Sequence, residues 1–343
     1  MNETRQPQIM TVLGPVSPQD MGVVDAHSHL YIAPIPGAPP DAPVLTDAAG
    51  VARELAAFRA AGGGAVVDCQ PGGCGRDGRM LRRLSRQSGV HVVAATGFHR
   101  QLYYGSEAPL FDMSAEAAAA VFMDEIDDGL LETRAGEAEA VYPGVIKIAA
   151  EATLESSPWA LFEAAADVCR RTGYAIEMHT ERGAAAEGFL AFFHEQGVAA
   201  ERLVFCHVDK RPDIGLHREL AQAGVLLEYD TFFRPKYEPE RHVWPLIGEM
   251  IAGGWAGHVA LATDMADPAL WAELGGQPGL LGFFSIIRQG LVRMALPAAM
   301  IDGLLGGNIA RRLATGEERQ RGEWEKMTEA SSLFSVSPLL PSV

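Results

Sequence analysis

The sequence predicts an α/β fold: a single-domain (β/α)8 TIM barrel with extra C-terminal helices. Three observations carry this. Eight short apolar runs of strand character recur along the 343 residues. Amphipathic helix patterns lie between them. Six side chains able to hold a metal sit at or near the C-terminal ends of five of those runs: His27, His29, Lys147, His179, His207 and Asp264. Eight strands close a parallel barrel, and in that fold the chemistry sits on the rim formed by the strands' C-terminal ends.

The strand runs, in order, are VVDAHSHL (23–30), GAVVDCQP (64–71), VHVVAATGF (90–98), GVIKIAAE (144–151), AIEMHT (175–180), RLVFCHVD (202–209), VLLEYD (225–230) and HVALATDM (258–265). Of the helices between them, VARELAAFRAAGG ends in glycines, as helix C-termini often do. SAEAAAAVFMDEIDDGL opens on Ser114 as N-cap. SPWALFEAAADVCRRTG starts on Ser-Pro and ends on two arginines, which suits the helix dipole. ERHVWPLIGEMIAGG contains Pro245, where the helix begins or kinks. LLGFFSIIRQGLVRMAL and AMIDGLLGGNIARRLA read as two further helices after the eighth strand. The expected division is residues 1–22 as a segment packing on the barrel, 23–314 as the barrel, and 315–343 as a tail. The tail is charged at first, then apolar with prolines.

Composition narrows the function. The net charge of −16 argues against nucleic acid or an anionic membrane as the main partner. It leaves room for an anionic small substrate, because a local pocket can oppose the global sign. No run approaches the roughly 18 apolar residues of a membrane span. The polar start MNETRQPQIM lacks a signal core, so a cytoplasmic protein is expected. Cys69, Cys74, Cys169 and Cys206 form no C-x-x-C pair and read as reduced core thiols. The glycine-rich PGGCGRDG (71–78) fits neither phosphate-binding glycine motif and reads as a flexible loop.

His27 and His29 lie two apart on a strand, so both imidazoles project to one face. Lys147 interrupts an apolar strand, VIKIA. A lysine there either runs its stem outward along a helix or is buried. Burial favours the neutral amine, which can add carbon dioxide and become a carbamate able to bridge two cations. His179 and His207 end consecutive strands. Asp264 ends the eighth and reads either as a helix N-cap or as metal ligand and proton acceptor. Four histidines, one aspartate and a carboxylated lysine suit two divalent ions: Zn2+ first, with Mn2+ or Fe2+ as alternatives.

This ordered set resembles the phosphotriesterase-like branch of the amidohydrolase superfamily. TVLGPVSPQDMGVVDAHSHL is similar to that branch's opening, GRDGRMLRRLSRQSGVHVVAATGFH to its second helix and third strand, GVIKIAAE to the strand of its carboxylated lysine, and GNIARRL to its closing helix. The resemblance covers roughly residues 10–314. It implies one metal on His27, His29, Lys147 and Asp264, and another on Lys147, His179 and His207. It also implies attack by a hydroxide bridging the two metals on an ester, lactone or phosphotriester. Many members are lactonases, so a sugar-type lactone is the first expectation. A phosphotriester, carboxylic ester or N-acyl amide is the alternative. Many such barrels pair as homodimers.

The loops after the strands should choose the substrate. GFHRQLYYG (97–105) offers His99, Tyr103 and Tyr104 as substrate contacts. YDTFFRPKYEPERH (229–242) offers Arg234 and Lys236, a basic pair in an acidic chain. It resembles a loop that contacts phosphate in relatives acting on phosphorylated sugar lactones. The arginine those enzymes place shortly after the eighth-strand aspartate is missing from DMADPALW.

Overall fold

All eight apolar runs are strands in a computed structural model, which describes residues 6–105, 108–135 and 139–315. A short antiparallel pair comes first, β1 (Ile9–Thr11) and β2 (Gly14–Val16). The eight that follow are β3 (Val23–Ser28), β4 (Gly63–Asp68), β5 (His91–Gly97), β6 (Val145–Ala149), β7 (Ile176–His179), β8 (Leu203–Cys206), β9 (Leu226–Tyr229) and β10 (Val259–Leu261). They pair in parallel in chain order. The seam between the last strand and the first closes differently. Asp25 of β3 accepts from the Thr263 backbone N at 2.9 Å and from its Oγ1 at 2.5 Å, and the Asp264 N donates to the His27 carbonyl at 2.8 Å.

A helix follows each strand: α1 (Ala48–Ala60), α2 (Gly78–Ser88), α3 (Ala115–Asp128), α4 (Trp159–Thr172), α5 (Ala186–Glu195), α6 (Ile214–Ala223) and α7 (Val243–Ala252). Their ends follow from local chemistry. The side chains of Asp47, Asp77, Ser114 and Asp213 accept from the first-turn amides of α1, α2, α3 and α6. Gly89, Gly173 and Gly224 end α2, α4 and α6 in the left-handed conformation. Pro245 falls in the first turn of α7, where its missing N–H costs nothing, so the helix begins there without a kink. After β10 come α8 (Gln289–Arg293), α9 (Ala298–Asp302) and α10 (Asn308–Leu313). The first expected helix winds as a π-helix over Phe283–Arg288 and runs on into α8, and the second is kinked at Gly306 within a π-turn over Gly303–Gly307.

The core has two layers. Between sheet and helices lies the larger one, with Phe58, Phe98, Phe122, Phe162 and Phe189. Inside the barrel the residues are smaller, among them Ala26, Ala65, Val67, Val93, Ala95, Val204 and Ala260. Eight strands leave an interior just wide enough for such side chains. Ile9, Met21, Ile309 and Leu313 pack against this layer, so the segment before β3 and the closing helix plug the barrel's N-terminal end. The other end is left to polar groups. Of the expected tail 315–343, all but Thr315, which pairs with Gln8, lies outside the described residues. No helix among the described residues is long and apolar enough to cross a membrane.

Candidate metal centre

The polar end of the barrel gathers the six residues singled out in the sequence. His27 lies in β3 and His29 one residue past it, Lys147 in β6, and His179 at the end of β7. His207 directly follows β8, and Asp264 lies three residues past β10. Both of these last two adopt left-handed backbone, φ 64° and 48°. For a side chain with a Cβ this costs roughly 1–2 kcal/mol, and such strain concentrates where a side chain must be aimed. Gly97 ends β5 at φ 104° and lies so close to the Lys147 carbonyl that a Cβ there would clash with it. That approach seats β5 against the strand carrying the lysine.

Lys147 is fully buried and points into the barrel, its Nζ 3.5 Å from His27 Nε2. Asp264 Oδ1 lies 3.8 Å from His27 Nε2 and 3.6 Å from His29 Nε2. The His207 ring centre is 4.8 Å from that of His27 and 4.7 Å from that of His179. On three of the four rings one nitrogen is held by a protein acceptor. His27 Nδ1 is 2.9 Å from Glu228 Oε1 and 3.1 Å from Glu177 Oε1. His29 Nδ1 meets Gln70 Oε1 at 2.7 Å, and His207 Nδ1 meets Asp230. Such partners fix the tautomer and turn the other nitrogen toward a metal. The remaining ring, His179, has a buried Nε2 with no hydrogen-bond partner. These donors fit divalent cations: buried nitrogens face one carboxylate and one amine, and two of the buried residue sets that could chelate an ion include Asp264.

Electrostatics agrees for three rings. Burial lowers His29 to about 3 and His179 to about 4, and it takes His207 well below the ordinary imidazole value. Neutral imidazole is the ligand form. His27 moves the other way. Burial opposes its charge, but the acidic groups Cys69 and Glu228 beside it raise it well above the usual value. Burial also works against the charge on Asp264, yet Arg234 and then His207 hold it well below the carboxylate range. Lys147 departs from the sequence argument. Burial alone lowers it as expected, but Cys206, Cys69, Glu177 and Glu228 reverse the sign and raise it. Glu177 Oε1 lies 3.8 Å from Lys147 Nζ. Beneath the lysine, burial pushes Glu228 up to about 8. Glu177 stays low despite burial, held by its bond to His27 and by Lys147.

These two glutamates were missed in the sequence, though the signal was present. Each stands two residues before a site residue on its own strand, Glu177 before His179 and Glu228 before Asp230, as a lone charge in an apolar run.

With this geometry in hand, comparison with known proteins is decisive. The phosphotriesterase family profile matches residues 7–289. The chain belongs to the phosphotriesterase family. Like its relatives in this family, it is a hydrolase. It is 28% identical over 258 residues to an N-acetyltaurine hydrolase of Rattus norvegicus, spanning 66% of this chain and 72% of the relative. It is 27% identical to a phosphotriesterase homology protein of Mycobacterium tuberculosis over 75% of this chain and 81% of that protein. A lactonase from Listeria monocytogenes superposes with a TM-score of 0.83 at 20% identity, over 91% of this chain and all of that one.

In this family member a pocket of about 320 Å³ opens above the centre. It is lined by His27, His29, His179, His207 and Asp264, by His99 and Tyr103 from the loop after β5, and by Lys210, Lys236 and Tyr237. Two expected substrate contacts lie elsewhere. Tyr104 is buried; its hydroxyl accepts from the His99 backbone N at 3.0 Å and donates to the Gly72 carbonyl at 3.3 Å, which ties the loop down. Arg234 turns onto Asp264, its Nη2 2.8 Å from Oδ2. Lys210 was missed. It follows the His207 segment in VDKR, a basic residue at a strand end that nothing in the sequence ties to a site. Neither Lys210 nor Lys236 has a carboxylate within ion-pair distance among the described residues. Their Nζ atoms lie 5.7 and 5.1 Å from the Tyr237 ring centre.

Proposed function

We propose that the chain hydrolyses a small sugar-type lactone bearing an anionic group, at a centre holding two divalent ions, zinc in the first place. One ion takes His27, His29, carboxylated Lys147 and Asp264, and the other takes Lys147, His179 and His207. When bound, such a pair polarises an acyl carbonyl and lowers the pKa of water. The observation that carries the reading is the convergence of buried donors at one barrel mouth, with three rings each braced through the opposite nitrogen.

The chain's own groups do the rest. Asp264 Oδ1 faces the donors and accepts the proton released on attack, then returns it to the leaving oxygen. His99 and Tyr103 stand on the wall where the acyl group enters. Lys236, with Lys210 across Tyr237, takes the anionic group. The pocket lies at the small end of ligand sites, which favours a metabolite-sized substrate.

A second reading keeps the centre and changes the bond to an N-acyl amide. The relatives named N-acetyltaurine hydrolase favour it, since taurine is an aminoalkyl sulfonate and its tail matches Lys210 and Lys236, which have no carboxylate within ion-pair distance among the described residues. One panel decides: neutral and anionic lactones, N-acetyltaurine and other N-acyl amides, and a phosphotriester, assayed with zinc- or manganese-loaded protein of measured metal content. The lactone reading requires anionic lactones to give the highest kcat/KM. Turnover confined to amides selects the second reading. Fewer than one metal per chain after metal-replete expression defeats both.

A further inference from the structure

We propose that Arg234 is a positioning residue that locks Asp264 in place, and not a contact for the substrate's anion. The inference rests on the reading of Asp264 as metal ligand and proton acceptor.

The geometry is specific. Arg234 Nη1 donates to the carbonyls of Asp230 at 3.2 Å and Thr263 at 3.1 Å. Its Nη2 donates to the Asp264 carbonyl and, at 2.8 Å, to Asp264 Oδ2. A guanidinium has five N–H donors. Four are used here, and only the Nε hydrogen is left for a ligand. The side chain is 17% exposed and does not line the pocket. Lys210 and Lys236 do line it and have no carboxylate within ion-pair distance among the described residues.

The four bonds have one target. Asp264 is held at φ 48°, a conformation that disfavours a residue with a Cβ. Arg234 bridges the carbonyls on either side of that kink and ties them to the end of β9 through Asp230. It also occupies Oδ2. Oδ1 is left turned toward His27 Nε2 and His29 Nε2. An arginine keeps its proton at any working pH, so it passes no proton on; it fixes which oxygen faces the site. A planar fork is needed to reach four acceptors, and a lysine offers no such fork.

The test uses the full chain with Arg234→Gln and Arg234→Lys, assayed on one neutral and one anionic substrate from the panel. For R234Q we expect kcat to fall by about a hundredfold on both substrates, the scale of a misplaced catalytic group, with KM nearly unchanged. R234K should recover only part of it, and millimolar guanidinium added to Arg234→Ala should restore kcat. Two readouts need no turnover. Chelator should strip metal from R234Q faster than from the parent, and a crystal structure of metal-free R234Q should show Asp264 out of the left-handed region. A rise in KM confined to the anionic substrate, with kcat intact, would make Arg234 a substrate contact and overturn the proposal. So would an R234Q crystal structure with Asp264 unmoved. If the parent turns over nothing on the panel, the proposed function fails, and the chelator and crystal readouts still decide this one. Should R234Q not fold, R234K carries the same measurements.

Discussion

Two buried charge clusters lie about the barrel, one behind its wall and one in its mouth, and they are built to opposite rules. Behind the wall, Arg76 uses all five of its N–H donors on Glu125, Glu132 and the Ala95 carbonyl. The glutamates are completed by Thr96, Leu131 and Gly78. None of these atoms is left without a partner. In the mouth, Glu177, His179, Asp209, Glu228 and Asp230 all carry buried polar atoms with no hydrogen-bond partner among the described residues. A buried polar atom left bare costs roughly 1–3 kcal/mol, so a chain able to satisfy one cluster completely has kept the other open. The first cluster stabilises the fold; the second is shaped for something that arrives later.

That contrast can be broken from either side. The largest effect belongs to Asp264→Asn, which keeps the shape and removes the proposed proton acceptor. Turnover per folded molecule should fall by about 10²–10⁴, the range for a general base. Next comes Arg76→Met, which strands the buried carboxylate of Glu125 and the half-buried one of Glu132. It should cost about 3–5 kcal/mol in denaturant unfolding yet leave kcat per folded, metal-loaded molecule close to the parent's. If R76M retained full stability and lost activity, the division of labour would be reversed.

Acid should separate the clusters more gently. His29 and His179 have folded-state values of about 3 and about 4, below the ordinary 6.5. The unfolded chain therefore takes up their protons first. Their contribution to stability is complete above pH 6.5 and is lost as pH falls from there toward 3. Unfolding free energies measured along that window on metal-free protein should decline, and replacing both histidines by Gln should flatten the slope. Lys147 gives the opposite sign: raised by its acidic neighbours, it becomes a free amine only at high pH, so reactivation of stripped protein by zinc and bicarbonate should run faster at pH 9 than at pH 7. The smallest effect is expected for Tyr104→Phe. It removes one hydroxyl from a loop anchor and should lower stability by about 1 kcal/mol with kcat/KM within a few-fold.

The same contrast explains what the sequence showed. The eight strands were legible because each is a short apolar run bounded by polar links, and parallel strands covered by helices must read that way. The six candidate donors were legible because each stands at or near the end of its run. Asp47, Asp77, Ser114 and Asp213 at helix starts follow from capping chemistry alone. The partners were not legible. Arg234 and Asp264 are 30 residues apart, and nothing local says that a loop arginine folds back onto a strand end. Arg76 and Glu132 meet across 56 residues for the same reason. The expected fall in the Lys147 pKa came from burial alone; the groups that reverse it, Cys206, Cys69, Glu177 and Glu228, stand on or just beyond other strands. The β1–β2 pair was hidden because strands of three residues carry too little pattern to read.

The seam between β10 and β3 has a consequence for how the molecule matures. The donors at the mouth come from both sides of it, His27 and His29 from the first barrel strand and Asp264 from just beyond the last. Asp25 must find Thr263, 238 positions further along the chain, before the ring is shut. A nascent chain lacking its final third therefore has the four histidines and Lys147 but neither Asp264 nor the closing seam. Completion of the proposed centre is consequently a late event in biogenesis, because Asp264 and the seam that places it come last in the chain.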